Sequence, residues 1–160
     1  MIPPMSSLLE EVSRDHFPHP PATAEELEQF ERWAGWKLDP DLRAFYVHCN
    51  GARLFEPPPF APFTLLSLSE IERGRAAIFG EDDDRWGPAS LYAICDVQDG
   101  DYVMVDVSRR VDGRYPLLDG WKEAWRNKEY TWPIASSFSE FLAEALRSNG
   151  RQFWLARQEK

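Results

Sequence analysis

Two helix-start signals, one near each end of the chain, constrain the fold more than any other feature of the sequence. Thr23 with Glu26, and Ser137 with Glu140, form capping boxes, in which a hydroxyl and a carboxylate three residues apart satisfy the free N–H groups of a helix start. Apolar residues at the spacing of one buried helix face follow each box. They are Leu27, Phe30 and Ala34, with Trp33 beside them, and then Phe138, Phe141, Leu142, Ala145 and Leu146. The sequence therefore predicts one helix early in the chain and another near its end.

A further helix start follows the first predicted helix. Asp39 can cap it, and Pro40 suits the first helical turn because the N–H that proline lacks would be unpaired there. The face that this helix would bury carries Leu42, Phe45, Tyr46 and Cys49. Near the N-terminus, a short amphipathic stretch is also predicted, and prolines at positions 18, 20 and 21 end it. Its apolar side consists of Leu8, Leu9 and Val12.

The middle of the chain is predicted to form a sheet. Segments 91–97 and 101–107 are predicted strands, and the Asp-Gly pair in the turn between them is a strong hairpin signal. The other predictions are a short apolar run at 63–68, a helix at 70–79 capped by Ser69, and a strand at 114–118 that Pro116 places at an edge. The predicted class is α+β, with a central, mostly antiparallel sheet flanked by N-terminal and C-terminal helices. A chain of 160 residues is expected to form one domain over residues 1–160.

The charge balance limits the partners that this chain can take. Eighteen basic and 27 acidic residues give a net charge of −9, which repels nucleic acid and anionic membranes and favours basic partners. The first residues show no basic and apolar leader pattern, and no apolar run reaches the roughly 18 residues of a membrane span. We therefore expect a cytoplasmic protein that binds neither nucleic acid nor a membrane.

No cofactor or metal site is predicted. Cys49 and Cys95 lack the spacing of a metal or redox motif. His16 and His19 are three residues apart, but the prolines on both sides of His19 prevent a regular helical pair. Carboxylates at 82–84 and at 99–101 could offer oxygens to a cation. Neither run has the alternating ligands and late Glu of a calcium loop.

Motifs of nucleophilic catalysis are also missing from the sequence, so no catalytic residue is assigned. There is no Gly-x-Ser-x-Gly elbow and no glycine-rich phosphate loop. His48 and Cys49 are adjacent in a predicted helix and point about 100° apart, so Cys49 is interpreted as a core residue. Asp96 and Asp106 could meet across the predicted hairpin, which leaves acid–base chemistry as a formal alternative.

An acidic run at 81–84 is the best candidate for binding a partner. Residues 81–119 contain ten acidic and four basic residues, so this quarter of the chain has a net charge of −6. An acidic patch can plug a basic cleft and speed association, and Trp86 can serve as the buried anchor beside it. The alternative interpretation is a solvated loop. The predicted contact residues are Glu81, Asp82, Asp83, Asp84, Trp86, Asp99 and Asp101.

A second aromatic group leaves two interpretations open. Trp121, Trp125 and Trp132, with Tyr130 among them, form either part of the core or the rim of a binding surface. Only three cations accompany them, which disfavours binding of single-stranded nucleic acid.

Four motifs, taken in order, resemble those of a known family. They are Thr-Ala-Glu-Glu-Leu at 23–27, Leu-Asp-Pro-Asp-Leu-Arg-Ala-Phe-Tyr at 38–46 before Asn-Gly at 50–51, Gly-Asp-Tyr-Val-Met-Val-Asp at 100–106, and Ile-Ala-Ser-Ser-Phe-Ser-Glu-Phe-Leu at 134–142. This order and spacing is similar to that of the SUKH superfamily, which includes Smi/Knr-type cell-wall regulators of fungi and many bacterial immunity proteins. The resemblance spans about residues 22–147. One departure is Asp39, which stands between the Leu and the Pro that the family usually places side by side.

The resemblance implies a fold and a role. The implied fold is α+β with a central antiparallel sheet, and the implied role is binding without catalysis. Bacterial members are commonly encoded beside polymorphic toxins, which they neutralise by binding. We therefore expect an immunity protein whose partner is a cognate protein toxin, with a basic nuclease domain as one candidate. The alternative is a regulatory or scaffold domain with an endogenous cellular partner.

Overall fold

A computed structural model describes residues 2–55, 62–97, 101–120 and 132–154 of the chain. The helices within these ranges are α1 Met5–Asp15, α2 Ala24–Ala34, α3 Pro40–His48, α4 Gly74–Phe79 and α5 Phe138–Arg147. The strands are β1 Phe17–Pro18, β2 Ala52–Leu54, β3 Phe63–Leu65, β4 Glu72–Arg73, β5 Leu91–Asp96, β6 Tyr102–Asp106, β7 Leu117–Gly120 and β8 Trp132–Ala135. Among the described residues, no helix has both the length and the apolar character that crossing a bilayer requires.

The strands form one antiparallel sheet in the order β1-β2-β3-β5-β6-β7-β8, and the short β4 also pairs with β5. Strand β5 therefore has β6 on one side, while β4 and β3 share its other side. Arg73 of β4 is opposite Tyr92, and Thr64 of β3 is opposite Asp96. The predicted hairpin of β5 and β6 is confirmed, and its turn at 98–100 lies outside the described residues. Helices before and after this sheet confirm the α+β class.

The helix starts form as the capping signals predict. Thr23 Oγ1 accepts a 3.1 Å hydrogen bond from the Glu26 N–H, and the Glu26 carboxylate accepts a 3.0 Å bond from the Thr23 N–H. Gly35 ends α2 with φ +81°, a conformation that glycine adopts without steric cost. Ser137 caps α5 by accepting a bond from the Glu140 N–H at 3.2 Å.

Asp39 does more than cap α3. One of its carboxylate oxygens accepts from the Leu42 N–H at 2.9 Å, and the other accepts from the Tyr115 N–H at 2.9 Å. Its neighbour Asp41 accepts a 3.0 Å bond from Arg114 Nε. Burial raises the pKa of Asp39 above its ordinary value. The two carboxylates therefore join α3 to the segment that leads into β7, which makes this helix start a tertiary contact as well as a local one.

Two predictions in the middle of the chain were wrong. Residues 70–79 do not form one helix capped by Ser69, because residues 68–70 form a turn and β4 precedes the shorter helix α4. The strand predicted at 114–118 begins only at Leu117, after Pro116, and it is not an edge strand because β8 pairs with its far side. Pro116 directly precedes the strand, where its missing N–H leaves no gap in the β7 ladder, and its carbonyl oxygen still accepts from the Asp106 N–H at 3.0 Å.

The core lies where the helices pack on the sheet. The buried stripes predicted from the sequence are confirmed for α1, α3 and α5, where Leu8, Leu9 and Val12, then Leu42, Phe45 and Tyr46, then Phe138, Phe141, Leu142, Ala145 and Leu146 are all buried. Trp154, beyond α5, joins them and is 1% exposed. In α2, however, only Leu27 and Phe30 are buried, and Trp33 is 61% exposed. The exposed indole is the largest departure of the core from its predicted pattern.

Candidate partner-binding surface

Residues 81–86, here called the acidic loop, follow α4. Gly80 ends that helix with φ +79°, and a short 3-10 helix, Asp84–Trp86, closes the loop. Asp83 caps this turn by accepting a 2.9 Å hydrogen bond from the Arg85 N–H, and this bond lowers the pKa of Asp83. The run of carboxylates therefore has a defined backbone conformation.

A buried arginine holds the acidic loop against the body. The Arg75 side chain is 7% exposed, whereas its partners Asp82 and Asp84 are 47% and 94% exposed. Arg75 Nε donates to Asp82 at 2.7 Å, and Nη1 donates to Asp84 at 2.5 Å and to the carbonyl oxygen of Gly87 at 3.1 Å. The bond from Arg75 lowers the pKa of Asp82. Because one guanidinium contacts three points of the chain, it fixes the path of the loop.

Two further arginines pair with the same carboxylates. Arg73 Nη1 donates to the second oxygen of Asp82 at 2.8 Å. Arg85 lies 3.3 Å from the carboxylates of both Glu81 and Asp83. Four acidic side chains thus share three guanidinium groups. Two of these groups, Arg73 and Arg75, precede residues 81–119 and so were not included in the count of −6. The acidic loop keeps a net negative charge, but a smaller one than the linear count indicates.

Trp86 lies against the body of the protein beside these charges. Its ring stacks on Phe79 with centroids 5.1 Å apart and an interplanar angle of 22°. Its Nε1–H donates a 2.8 Å hydrogen bond to Glu81. The indole is half-buried, so one part of it is held while another part remains accessible to a partner. This arrangement suits an interface residue, since little side-chain freedom is left to lose on binding.

The second predicted group of carboxylates lies elsewhere on the sheet. Asp101 directly precedes β6 and lies at the far end of β5, where its carbonyl oxygen accepts from the Val97 N–H at 3.2 Å. The acidic loop lies at the near end of β5. Arg73, which is opposite Tyr92 in the sheet, donates a hydrogen bond to Asp82 of this loop. Five residues of strand separate the two ends, about 17 Å at 3.3 Å per residue. Asp99 lies outside the described residues.

Trp33 lies next to the acidic loop, a position that its place in the predicted α2 stripe did not indicate. A cleft of about 210 Å³, here called the Trp33 cleft, is lined by Trp33, Glu72, Arg73, Ala76, Asp82 and Tyr92. On its other side, Trp33 borders a depression of about 330 Å³ lined by Glu26, Gln29, Phe30, Leu68, Ser69 and Ile71. Asp82 belongs to both the acidic loop and the Trp33 cleft, so the two are one continuous surface.

Comparison with known proteins identifies the family. A sequence model of the SMI1/KNR4 family (SUKH-1) matches residues 21–144. This chain belongs to that family. The immunity protein YokJ of Bacillus subtilis (strain 168) is 27% identical to it over 120 residues, which cover 74% of this chain and 71% of YokJ. The family expected from the four sequence motifs is therefore confirmed, and the matched region agrees with the span over which they were found.

In this SUKH-1 chain, the titratable groups considered for chemistry lie apart. Burial raises the pKa of the Cys49 thiol to about 12, and this side chain is fully buried, as predicted. His48 Nε2 lies 2.6 Å from Ser13 Oγ, a contact that joins α3 to α1. Asp96 and Asp106 do not meet, because Asp96 is opposite Tyr102 and Asp106 is opposite Leu91, at the other end of the strand pair. SUKH immunity proteins are generally non-enzymatic.

The second aromatic group of this SUKH-1 chain is mostly outside the described residues. Trp121, Trp125 and Tyr130 lie in the undescribed segment 121–131, and Trp132 begins β8. Among the described ranges, no group of three or more His, Cys, Asp or Glu side chains is placed to hold a metal ion.

Proposed function

We propose that this protein is an immunity protein that acts in the bacterial cytoplasm, binds a cognate toxin domain directly and thereby blocks it. The observation that carries the proposal is membership of the SUKH-1 family together with the likeness to a protein named as an immunity protein. We infer that binding, through one domain and without catalysis, is its whole activity.

The acidic loop is proposed as the surface that meets the toxin. Its carboxylates are held in place before binding, so a partner that pairs with them loses less to loop ordering. A toxin domain with a basic cleft, such as a nuclease, has the complementary charge. The proposed contacts are Glu81, Asp82, Asp83, Asp84 and Trp86. Asp101, at the other end of β5, is proposed as a separate contact, together with Asp99, which lies outside the described residues.

The first experiment tests the immunity role. The chain is tagged and expressed together with the adjacent open reading frame, and the retained protein is identified by mass spectrometry. Expression of the retained protein alone should kill the host, and co-expression of this chain should restore growth. Recovery of housekeeping proteins with no rescue would instead support the regulatory or scaffold alternative.

The second experiment tests the acidic loop against the isolated toxin domain. Asp84→Asn removes the most exposed loop charge, so association should become slower and less dependent on salt. Glu28→Gln removes one negative charge from α2, outside the acidic loop. It is the matched control and should leave the association rate nearly unchanged. Asp101→Asn tests the second group in the same assay. An Asp84→Asn variant that associates as fast as the wild type would exclude the loop from the interface.

A further inference from the structure

The Trp33 cleft combines an exposed aromatic ring with carboxylates. Trp33 is 61% exposed, and its ring lies edge-to-face with Tyr92 at a centroid distance of 6.5 Å and an angle of 82°. Tyr92 is buried and forms the floor of the cleft. Glu72 and Asp82 also line the cleft, and both oxygens of Asp82 already accept from Arg73 and Arg75. An aromatic face with nearby carboxylates is a suitable site for a cation.

One guanidinium already occupies part of this arrangement. Arg73 places its Cζ 5.6 Å from the centroid of the Tyr92 ring and donates to Asp82 at 2.8 Å. Its Nε also donates to the carbonyl oxygen of Ala89 at 3.2 Å, which keeps the side chain on the floor of the cleft. Within the described part of the chain, no comparable cation lies over Trp33 or pairs with the exposed Glu72. Trp33 and Glu72 therefore bring to the same cleft the pairing of an aromatic ring and a carboxylate that Arg73 meets at Tyr92 and Asp82.

We propose that the Trp33 cleft receives a single basic side chain, arginine or lysine, from the toxin domain. The side chain packs its charged end on Trp33 and pairs with Glu72, while Asp82 adds to the negative potential. This inference rests on the proposed immunity function, because it names the part of the partner that docks beside the acidic loop.

The size and charge of the cleft both favour such an occupant. A volume of about 210 Å³ is below the ~300–1,000 Å³ of pockets that enclose drug-sized ligands, so it suits one side chain rather than a cofactor. The lining of the cleft holds two carboxylates, Glu72 and Asp82, and one guanidinium, Arg73, so its formal charge is −1, within a chain whose net charge is −9. Trp is also among the residues that most often dominate the binding energy of an interface.

A short peptide tests the cleft without the toxin. The probe is acetyl-Gly-Arg-Gly-amide, and the same peptide with citrulline in place of arginine is a neutral control of nearly equal shape. The indole N–H signal of Trp33, assigned with Trp33→Phe, is followed by NMR during titration of the full chain. The arginine peptide should shift this signal saturably and the citrulline peptide should not. Equal responses to the two peptides, or none to either, would overturn the proposal.

Substitutions then separate this cleft from a general surface effect. Glu72→Gln should weaken binding of the arginine peptide about two- to fivefold, the range of an exposed ion pair. Glu10→Gln, which removes the same charge from α1, should not change it. Unchanged affinity in Glu72→Gln would contradict the assigned role of this carboxylate.

The toxin assay distinguishes failure of this inference from failure of the proposed function. Trp33→Ala should reduce affinity for the toxin domain at least tenfold, whereas Val47→Ala, a smaller truncation of another exposed apolar residue, on α3, should not. If the chain rescues growth but Trp33→Ala binds the toxin as the wild type does, the cleft is excluded and the immunity role remains. If the arginine peptide binds but no toxin is neutralised, the cleft stands and the immunity role fails.

Discussion

Replacement of Arg75 by methionine tests whether one buried guanidinium fixes the acidic loop. Methionine keeps much of the apolar stem but removes every hydrogen bond that the side chain donates. The wild-type bonds reach Asp82, Asp84 and the carbonyl oxygen of Gly87. We expect the substitution to destabilise the protein and to release the loop from the body.

The size of the effect follows from the exposure of each partner. Asp82 and Asp84 are 47% and 94% exposed, so each ion pair is worth no more than about 0.5–1 kcal/mol after solvent screening. The bond to the Gly87 carbonyl adds about 1 kcal/mol. The free energy of unfolding should therefore fall by about 2–3 kcal/mol, which corresponds to a decrease in Tm of roughly 5–10 °C for a domain of this size.

Urea unfolding followed by circular dichroism measures this change, and Arg85→Gln provides the matched control. Arg85 contacts two carboxylates of the same loop, but its side chain is 68% exposed. Its loss should cost less than about 1 kcal/mol. Equal stability changes in the two variants, or an Arg75→Met variant as stable as the wild type, would refute the argument that burial of Arg75 is what holds the loop.

Three further predictions concern pH, capping and charge. Burial lowers the pKa of His16, whose Nδ1 accepts from the Phe55 N–H at 2.9 Å. The His16 imidazole therefore binds a proton more tightly in the unfolded chain than in the folded one. Its contribution to the free energy of unfolding is complete above the ordinary pKa of 6.5, and it is lost as the pH falls toward the lower pKa of the folded state. In urea titrations between about pH 7.5 and 5, His16→Gln should reduce this loss, and an unchanged slope would contradict the assignment. Asp39→Ala should lower the free energy of unfolding by about 2–4 kcal/mol, because it removes a cap and leaves the buried Tyr115 N–H unpaired. Asp39→Ser keeps a cap, so it should recover part of that loss in the same urea assay. Equal losses in the two variants would refute the capping argument. Arg85→Gln makes the loop more negative, so stopped-flow measurements should show faster association with a basic toxin domain, and slower association would argue against electrostatic steering by the loop.

The helices could be predicted from the sequence because their starting signals are local. A capping residue and its partner lie three positions apart, so their bond depends little on the rest of the fold. Thr23, Asp39 and Ser137 all cap helices in the structure. What the sequence did not reveal is the second role of Asp39, whose other oxygen accepts from Tyr115, because that contact joins residues far apart in the chain.

Short strands were harder to predict for a physical reason. Strands β1 and β4 have two residues each, which is too few to show alternation between buried and exposed positions. Near β4, Glu70 accepts bonds from the Ser67 N–H and hydroxyl, at 2.9 and 2.8 Å. This is the same residue pairing that starts a helix, but here it closes a turn. A serine and a glutamate three apart therefore did not distinguish the two outcomes.

Trp33 shows the limit of helical spacing as a guide to burial. It lies three residues after the buried Phe30, a spacing that permits a shared buried face. Its ring does contact Phe30 at 5.9 Å, yet most of its surface is exposed. Trp36, beyond the end of α2, packs on Phe30 and Tyr92 at 5.3 and 5.2 Å and fills the inner position instead. Which of two nearby tryptophans is inside thus depends on the chain after the helix, and periodicity within the helix does not contain that information.

The acidic loop shows a similar limit for charge. A linear window counts only the charges within it, whereas a partner experiences all charges near the surface. Arg73 lies just before α4 and Arg75 lies within it, and the fold brings both side chains onto Asp82. They lower the net charge that the loop presents and at the same time hold its carboxylates in one arrangement. Net charge steers the encounter and therefore sets the association rate. A fixed arrangement of contact groups chiefly slows dissociation. For the interface proposed here, the fixed arrangement therefore favours a long-lived complex over a fast encounter, which the linear charge count alone does not predict.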